Sequence, residues 1–323
     1  MSDTDKIPRF PDLSAMMQVT QQLETARAMD PMLKEAQVGE LLRLVAGKRA
    51  VVEGRFQGRP AVFRLCLDPS SDMIAREWDE MQRLWPLMQS SRYRVAEPLH
   101  LSSENHLMVV EHASGTPLME HLNTCAPSDR LAIWPPIAAW LRHAIESTET
   151  WRTEGHSGWL TRAERAATSQ PFPELRSVEA AILLEIKRIG ALFEGSDWRT
   201  AICHGDYHPN NLLIDGAQLT AVDTGGSSKL PIYKDMARFL VHLARRDMYL
   251  SDEIRFGVDQ QGIIAFAHAF DLTDTEESMI LPFMIGIETL IRVEAKSLSP
   301  ARVKKALAMS EAMLDDLRQV SRL

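Results

Sequence analysis

The sequence predicts an α+β protein in two parts, a β-rich first third and a mainly helical remainder. Short runs rich in β-branched residues, separated by turn residues, occupy much of residues 41–111. Apolar residues then recur at helical spacing almost to the C-terminus. Gly115 and Pro117 mark the connection between the two patterns. We therefore predict an N-terminal domain over residues 1–113 and a C-terminal domain over residues 114–323, which suits a chain of this length.

The N-terminal domain is predicted to be a five-stranded antiparallel sheet plus a crossing helix. Its strands are expected at residues 41–45, 51–56, 61–67, 96–101 and 106–111. The crossing helix begins near Ser71, places Ile74, Met81 and Leu84 at helical spacing, and is predicted to stop at Pro86. An amphipathic helix over residues 13–29 is expected to precede the sheet.

The C-terminal domain is predicted to be helical except for one stretch. Apolar periodicity indicates helices over residues 136–147, 173–193, 233–246, 262–270, 276–296 and 300–319. Residues 201–222 have strand character instead, and a hairpin is expected around the turn formed by Asp215 and Gly216.

Composition limits the possible partners. The formal net charge is −8 and no dense run of Lys and Arg is present, which argues against nucleic acid and favours a cationic or neutral small molecule. No run approaches the ~18 apolar residues of a membrane span, and residues 1–13 lack the pattern of a secretory signal. Three cysteines without CxxC spacing are typical of free thiols in a reducing compartment. We expect a cytoplasmic protein that binds neither membranes nor nucleic acid.

The most informative motif lies between Cys203 and Asp223, where the chain reads CHGDYHPNNLLIDGAQLTAVD. Asp206 is a carboxylate that can accept or orient the proton of a hydroxyl group. Asn211 and Asp223 offer the hard oxygen ligands that Mg²⁺ prefers, on either side of the predicted hairpin. These are the parts that phosphoryl transfer from ATP requires, so the motif predicts ATP and Mg²⁺ as cofactors.

The histidines of the same motif leave a second interpretation open. His204, Asp206 and His208 could together bind a metal ion, as in a metal-dependent phosphohydrolase. No further Asp-x-His or Gly-Asn-His element is present to complete a dinuclear site. We therefore expect His204 to support the loop of residues 204–211, the predicted catalytic loop, by hydrogen bonding.

The run from His204 to Asn211, then Val222 and Asp223, then Pro231 and residues 234–237 (KDMA), resembles the aminoglycoside phosphotransferase and choline kinase family. The resemblance implies a bilobal protein-kinase-like fold, with an N-terminal nucleotide-binding lobe, a hinge and a helical C-terminal catalytic and substrate lobe. It implies that Asp206 is the catalytic base and that Asn211 and Asp223 bind magnesium. It also implies that Asp235 connects the following helix to the catalytic loop.

The N-terminal part departs from this family in two places. Arg64 stands where the family has a lysine that binds the ATP phosphates, and a guanidinium binds phosphate in a different geometry from an ammonium. Its expected partner is Glu77, with Glu80 as the alternative. The phosphate-covering loop has only one glycine, Gly47, followed by Lys48.

Fewer residues indicate where the adenine base and the phosphate acceptor bind. The resemblance implies that the hinge at residues 109–114, including Val110, contacts the adenine through backbone groups. The acceptor is expected to be a hydroxyl of an aminoglycoside-, choline- or sugar-like molecule, since Asp235 follows Asp223 by only twelve positions, too few to dock a peptide. Glu288, in the apolar run MIGIETLI, is a candidate pocket residue because a buried carboxylate needs a partner.

A different class of function is a nucleotide-binding pseudokinase or regulator with little turnover. The arginine at position 64 and the sparse glycine loop are the features that favour it.

Overall fold

The computed structural model describes residues 13–89, 92–153 and 155–321. The chain forms two compact units, one made of residues 1–115 and 215–226 and the other of residues 116–214 and 227–323. The segment inspected for a secretory signal lies almost entirely outside the described residues. Within the described ranges, no helix combines the length and apolar composition needed to cross a membrane.

Helices make up most of the second unit, and β1, at nine residues, is the longest strand among the described residues. In chain order the strands are β1 Gln37–Val45, β2 Arg49–Phe56, β3 Arg59–Cys66, β4 Tyr93–Val95, β5 Pro98–Ser102, β6 Leu107–Glu111, β7 Thr116–Pro117, β8 Thr150–Thr153, β9 Asp197–Cys203, β10 Leu212–Asp215, β11 Gln218–Ala221, β12 Ser228–Pro231, β13 Ile254–Arg255 and β14 Val258–Asp259. The helices are α1 Leu13–Met29, α2 Met73–Met88, α3 Leu118–Thr124, α4 Pro127–Arg130, α5 Trp134–Ile145, α6 Ser157–Ala167, α7 Pro173–Leu192, α8 Tyr233–Ala244, α9 Gln260–Phe270, α10 Leu281–Ile291 and α11 Pro300–Gln319.

The first unit contains the predicted five-stranded antiparallel sheet, in the order β1-β2-β3-β6-β5. Alternation along β3 divides its side chains between two faces. Ala61, Phe63 and Leu65 are buried in one apolar cluster with residues of α1. Arg64 therefore points to the other face of the sheet, which is the face from which its partners come.

Helix α2 continues past the proline that was predicted to stop it. Pro86 lies inside the helix, which ends at Met88. A proline removes one hydrogen bond, here to the carbonyl four residues earlier, but the two residues after it can still donate. Met88 is fully buried, so packing favours the last half-turn.

The second unit is mainly helical and is built around α8 and α10, in which nearly every residue is buried. Two details of the prediction were wrong here. The helix expected over residues 276–296 begins with a π-helical turn, Glu276–Ile280, and ends at Ile291. Arg292 leaves the helical conformation, and the charged residues after Ile291 do not continue the apolar pattern. The helices α3, α4 and α6 were also not expected. The strands β7, β8, β12, β13 and β14 lie outside residues 201–222, the one stretch of this part for which strand character was predicted.

A buried ion pair fixes the strand that leads into the catalytic loop. Arg199 of β9 donates from Nε to Glu276 Oε1 at 2.6 Å and from Nη2 to Oε2 at 3.1 Å. The hydroxyl of Tyr233 donates to the same Oε1 at 2.6 Å. Because burying these charges unpaired would be costly, β9, the start of α8 and the π-helical turn are held together.

Glu179 of α7 is a second buried carboxylate in this unit, and its ionisation allows the cost of burying a charge to be measured. Burial raises its pKa to about 7, although a 2.6 Å hydrogen bond from Gln170 acts in the opposite direction. The pKa of Glu179 in the folded state, about 7, lies above its ordinary value of 4.5. Because the carboxyl group ionises more readily in the unfolded chain, the free energy of unfolding falls as the pH rises from about 4.5 to about 7. We expect Glu179→Gln to remove this loss, raising the free energy of unfolding by about 1 kcal/mol more at pH 8 than at pH 5 once partial solvation is allowed for.

Urea unfolding at both pH values measures the difference. Glu174→Gln, at an exposed position of the same helix, controls for the change in net charge. An equal effect of Glu179→Gln at both pH values would contradict the expectation.

Candidate active site

A buried carboxylate fixes the conformation of the catalytic loop. Both carboxylate oxygens of Asp235 accept a hydrogen bond from the backbone N–H of Gly205, each at 3.1 Å. The ammonium of Lys234 donates to the carbonyl of the same glycine. Gly205 has a φ of 81°, a conformation that glycine adopts without strain. The loop is thus attached to the start of α8, as the resemblance implies for Asp235.

Three basic or polar side chains surround Asp206. Arg238 of α8 donates from Nε to Oδ1 at 2.8 Å, and His208 Nε2 lies 3.3 Å from Oδ2. Nη2 of Arg292 lies 3.7 Å from Oδ1. The Asp206 side chain is 45% exposed, so a ligand can reach it. Burial alone would raise its pKa, but the bond with His208 and the charge of Arg238 outweigh this, and the pKa falls far below its usual range.

His204 occupies a different environment from Asp206. Its ring packs edge-on against Trp140 at a centroid distance of 6.3 Å and lies 5.9 Å from the ring of Tyr207. It therefore supports the loop from an aromatic pocket. No group of three His, Cys, Asp or Glu side chains among residues 13–89, 92–153 and 155–321 is arranged to bind a metal, so a site made of His204, Asp206 and His208 is not formed.

Asn211 faces the backbone of the same loop. Its Nδ2 donates to the carbonyl of Asp206 at 3.0 Å, and the residue is buried. This hydrogen bond fixes the amide, so that Oδ1 is the atom available to a cation. Asp206 and Asn211 are thus held by one loop in the second unit.

Asp223 belongs to the first unit and is surrounded by arginines. Its Oδ1 accepts from Arg64 Nη2 at 2.7 Å and from Arg49 Nη1 at 3.3 Å. Arg43 Nη1 lies 3.7 Å from Oδ2. The backbone φ of Asp223 is 62°, which is uncommon outside glycine and tolerated by aspartate. Three guanidiniums therefore meet one carboxylate.

Arg64 also forms an ion pair with Glu77. Its Nη2 lies 2.9 Å from Glu77 Oε1, and Glu77 is almost completely buried. Burial raises the pKa of Glu77 and the charge of Arg64 opposes this rise. Glu80, the alternative partner, instead binds Arg83 at 2.7 Å. A Cβ at Gly225 would lie 3.0 Å from Glu77 Oε2, so glycine leaves room for the pair.

Strand register explains why the arginines converge. Arg43 of β1 pairs with Val51 of β2, which in turn pairs with Arg64 of β3. Arg49 lies two residues from Val51, on the same face of the sheet. This is the face opposite the apolar cluster under α1, so the three side chains extend on the side where α2 supplies Glu77.

The other residues assigned to nucleotide binding lie around this face. Gly47 has a φ of 66° in the turn between β1 and β2, and no atom of the described residues other than its chain neighbours lies within 4 Å of where its Cβ would be. Lys48 is exposed and its backbone N–H donates to the carbonyl of Val45 at 2.9 Å. Val110 of β6 pairs with Val62, next to Arg64 on β3.

The donor atoms of Asn211 and Asp223 suit a magnesium ion in type. A carboxylate and an amide oxygen are hard ligands, and the hydrogen bond of Asn211 leaves its oxygen available. At Asp223 a cation must compete with three guanidiniums. Each of the two residues therefore offers an oxygen of the type that magnesium prefers.

Arg238, Arg292, Arg43 and Arg49 were not predicted as site residues. Arg238 had a detectable signal, because it is a charged residue within the apolar run of α8, just as Glu288 is within α10. These two side chains meet, with Arg238 Nε 3.7 Å from Glu288 Oε1. Arg43 and Arg49 gave no signal, since arginine is ordinary on an exposed strand face.

Comparison with known proteins gives a family. A family model described as "Phosphotransferase enzyme family" matches residues 49–247, which is more than half of the chain. A search of curated proteins finds no match.

Solved structures show the fold. The aminoglycoside phosphotransferase APH(4)-Ia matches at a TM-score of 0.57 and 16% identity, covering 95% of this chain and 100% of that one. Amicoumacin kinase in complex with AMP-PNP and Ca²⁺ matches at 0.57 and 14%, covering 92% and 99%. Choline kinase LicA from Streptococcus pneumoniae matches at 0.53 and 14%, covering 93% and 99%. The expected kinase-like α+β fold and the resemblance to this family are confirmed.

The attachment of the loop to α8 can be tested by substituting Asp235. Asp235→Ala removes both acceptors of the Gly205 N–H and leaves buried Lys234 without its anion. We expect a loss of about 3–5 kcal/mol in the free energy of unfolding, measured with urea. Asp235→Asn keeps one acceptor and should lose less. Equal stability of wild type and Asp235→Ala would show that the loop does not depend on this contact.

Proposed function

Because the chain belongs to the phosphotransferase enzyme family, we propose that it transfers the γ-phosphate of Mg-ATP to a hydroxyl of a small molecule. The observation that carries the proposal is Asp206, an ionised and partly exposed carboxylate on a loop fixed by Asp235. The amicoumacin kinase of similar fold was solved with an ATP analogue and a divalent cation, which supports the choice of nucleotide. We place this activity in the cytoplasm, where ATP is abundant.

The nucleotide phosphates are assigned to the arginine face of the first unit. Arg64 is positioned by Glu77, in the way that a phosphate-binding cation must be fixed by a partner. Arg49 and Arg43 add two further guanidiniums, which compensate for a loop with only Gly47 and Lys48. Guanidiniums bind phosphate oxygens bidentately, so this arrangement suits a polyphosphate. The hinge at Val110 is assigned to the adenine.

Asn211 and Asp223 are proposed to hold the magnesium ion. The ion supplies positive charge to the phosphate oxygens when it is bound. In the described structure the Asp223 carboxylate is neutralised by arginines instead. The arginines are therefore expected to transfer to the phosphates as the nucleotide and its cation bind.

Asp206 is proposed to orient the acceptor hydroxyl and take its proton. A carboxylate with a pKa far below its usual range stays ionised and accepts a hydrogen bond readily, but it is a weak base. Proton transfer is thus expected to occur late, when the new bond to phosphorus has already acidified the hydroxyl. Positioning of the nucleophile is then the main contribution of Asp206.

A nucleotide-binding regulator with little turnover is the second candidate. The observation in its favour is that three guanidiniums surround Asp223, the proposed metal ligand. Such a protein would bind nucleotide without requiring Mg²⁺ and without using Asp206.

Substitution of Asp206 separates the two candidates. We expect Asp206→Asn, which keeps the size of the side chain, to lower ATP turnover about 10²- to 10⁴-fold. Nucleotide affinity should remain within about threefold of wild type, because Asp206 is assigned to the acceptor. Slow ATP hydrolysis and equilibrium binding of an ATP analogue are the measurements. Unchanged hydrolysis in this variant would exclude the kinase mechanism and favour the regulator.

The arginine face gives a second prediction. Arg64→Ala and Arg49→Gln should each weaken binding of ATP by about tenfold or more, since each removes a charge-assisted contact to phosphate. Arg64→Lys should retain most of the affinity. AMP, which has no β- or γ-phosphate, should be affected less than ATP.

Arg55→Gln is the matched control for Arg49→Gln. Arg55 lies on the same strand and its side chain donates to the carbonyl of Gly58. Thermal unfolding of each variant confirms that it is folded. Equal ATP affinity of wild type, Arg64→Ala and Arg49→Gln would refute the assignment of this face.

A further inference from the structure

Two guanidiniums converge on the carboxylate assigned to the acceptor. Arg238 comes from α8 and Arg292 from the residue that follows α10, and both lie within 4.0 Å of Asp206 Oδ1, at 2.8 and 3.7 Å. A carboxylate can accept a hydrogen bond from a hydroxyl without a cation beside it. The paired arginines therefore require an explanation beyond the handling of a hydroxyl.

A buried carboxylate holds the two arginines in place. Glu288 is completely buried, and its Oε1 accepts from Arg292 Nε at 2.7 Å and lies 3.7 Å from Arg238 Nε. A carboxylate in this apolar helix is costly unless it is paired. Glu288, predicted as a pocket residue, is thus better described as a positioning residue for Arg238 and Arg292.

The guanidiniums keep donors for a ligand. The hydrogen bonds of both side chains to described residues use Nε, which donates to Asp206 in one case and to Glu288 in the other. Among the described residues, none accepts a hydrogen bond from an Nη atom of either arginine. One third of the Arg292 side chain is exposed, and 45% of the Asp206 side chain beside it. Two forked donors therefore flank the accessible carboxylate.

We infer that the phosphate acceptor is a small hydroxy compound that also carries an anionic group, a carboxylate or a phosphate. This inference rests on the proposed function. Asp206 would bind the hydroxyl, while Arg238 and Arg292 bind the anion through Nη atoms, in the bidentate geometry that guanidinium offers to carboxylate and phosphate. The acceptor would be bound at both ends by groups fixed on α8 and α10.

The charges around this position disfavour a cationic acceptor. An ammonium would approach two guanidiniums, and the Glu288 carboxylate that could attract it has no exposed surface. Arg245 and Arg246 follow the end of α8, and Arg245 is paired with Glu294 at 2.5 Å. An anionic acceptor thus differs from the cationic or neutral substrate that was expected from the net charge of −8.

The test uses one carbon scaffold in four charge forms. Glycerol, glycerate, glycerol 3-phosphate and 3-aminopropane-1,2-diol share a hydroxyl and differ in the neighbouring group. Binding of each to the full chain without nucleotide is measured by ligand-observed NMR and titration. We expect at least one of the two anions to bind about tenfold or more tightly than glycerol, and the amine to bind weakest. Comparison of glycerate with glycerol 3-phosphate identifies the preferred anion.

Arginine variants test whether Arg238 and Arg292 cause the preference for an anionic ligand. Arg292→Gln should reduce the preference for the anion over glycerol about tenfold, and Arg292→Lys should restore part of it. Arg318→Gln, at an exposed arginine paired with Asp315 on α11, is the control and should change nothing. Arg238→Lys is a second variant at the more buried position.

The inference is overturned if neither anion binds better than glycerol, if the amine binds best, or if Arg292→Gln leaves the preference intact. These outcomes are distinct from failure of the proposed function. ATP hydrolysis that depends on Asp206 would still support a kinase, whereas anion binding with no such hydrolysis would leave the site without the proposed chemistry.

Discussion

The catalytic loop depends on one buried carboxylate. Asp235 has no exposed surface, so its charge needs a nearby hydrogen-bond donor. The backbone N–H of Gly205 donates to both carboxylate oxygens. That contact requires a left-handed residue in the loop, which glycine provides. Once Gly205 is fixed, the following residues are placed as well: Asp206 points to Arg238, and Asn211 bonds back to the Asp206 carbonyl. The position of the proposed acceptor site therefore depends on the first turn of α8, which contains Asp235, more than on contacts within the loop.

Arginine at position 64 is part of a larger change in how charge is distributed over the sheet. In place of the lysine that the resemblance implies, Arg64 contacts both Glu77 and Asp223 through one nitrogen, Nη2, at 2.9 and 2.7 Å. Arg49 and Arg43 extend the same positive face along neighbouring strands. Since the turn at Gly47 brings few backbone amides, side-chain cations are well placed to substitute for them. Under the proposed function, arginine at position 64 would therefore change how phosphate is bound more than whether it is bound.

Global charge and local charge differ in this protein. The chain carries a net charge of −8, yet its two proposed ligand-binding faces are lined by arginines. Arg238 and Arg292 are positioned by buried Glu288, and Arg64 by buried Glu77. In each case a carboxylate without solvent contact orients a guanidinium that retains some. Exposed acidic residues elsewhere determine the total, but they do not describe the surface that a substrate meets.

Much of the architecture could be predicted from the sequence because it depends on local patterns. Alternation and turn residues predicted the five-stranded sheet, and the spacing of His204, Asp206, Asn211 and Asp223 predicted phosphoryl transfer. Helix ends were less predictable, since Pro86 is tolerated by packing at Met88 and the charged residues at 292–296 leave the helix. The pair of Arg64 with Glu77 was expected from the family resemblance. The other charged partners were not predictable: Arg238 meets Asp206 and Glu288, and Arg43 meets Asp223, across 32 to 180 residues of chain. The sequence by itself determined the elements and the motif, whereas only the tertiary structure decided which charges face one another, because strand register and helix packing bring distant residues together.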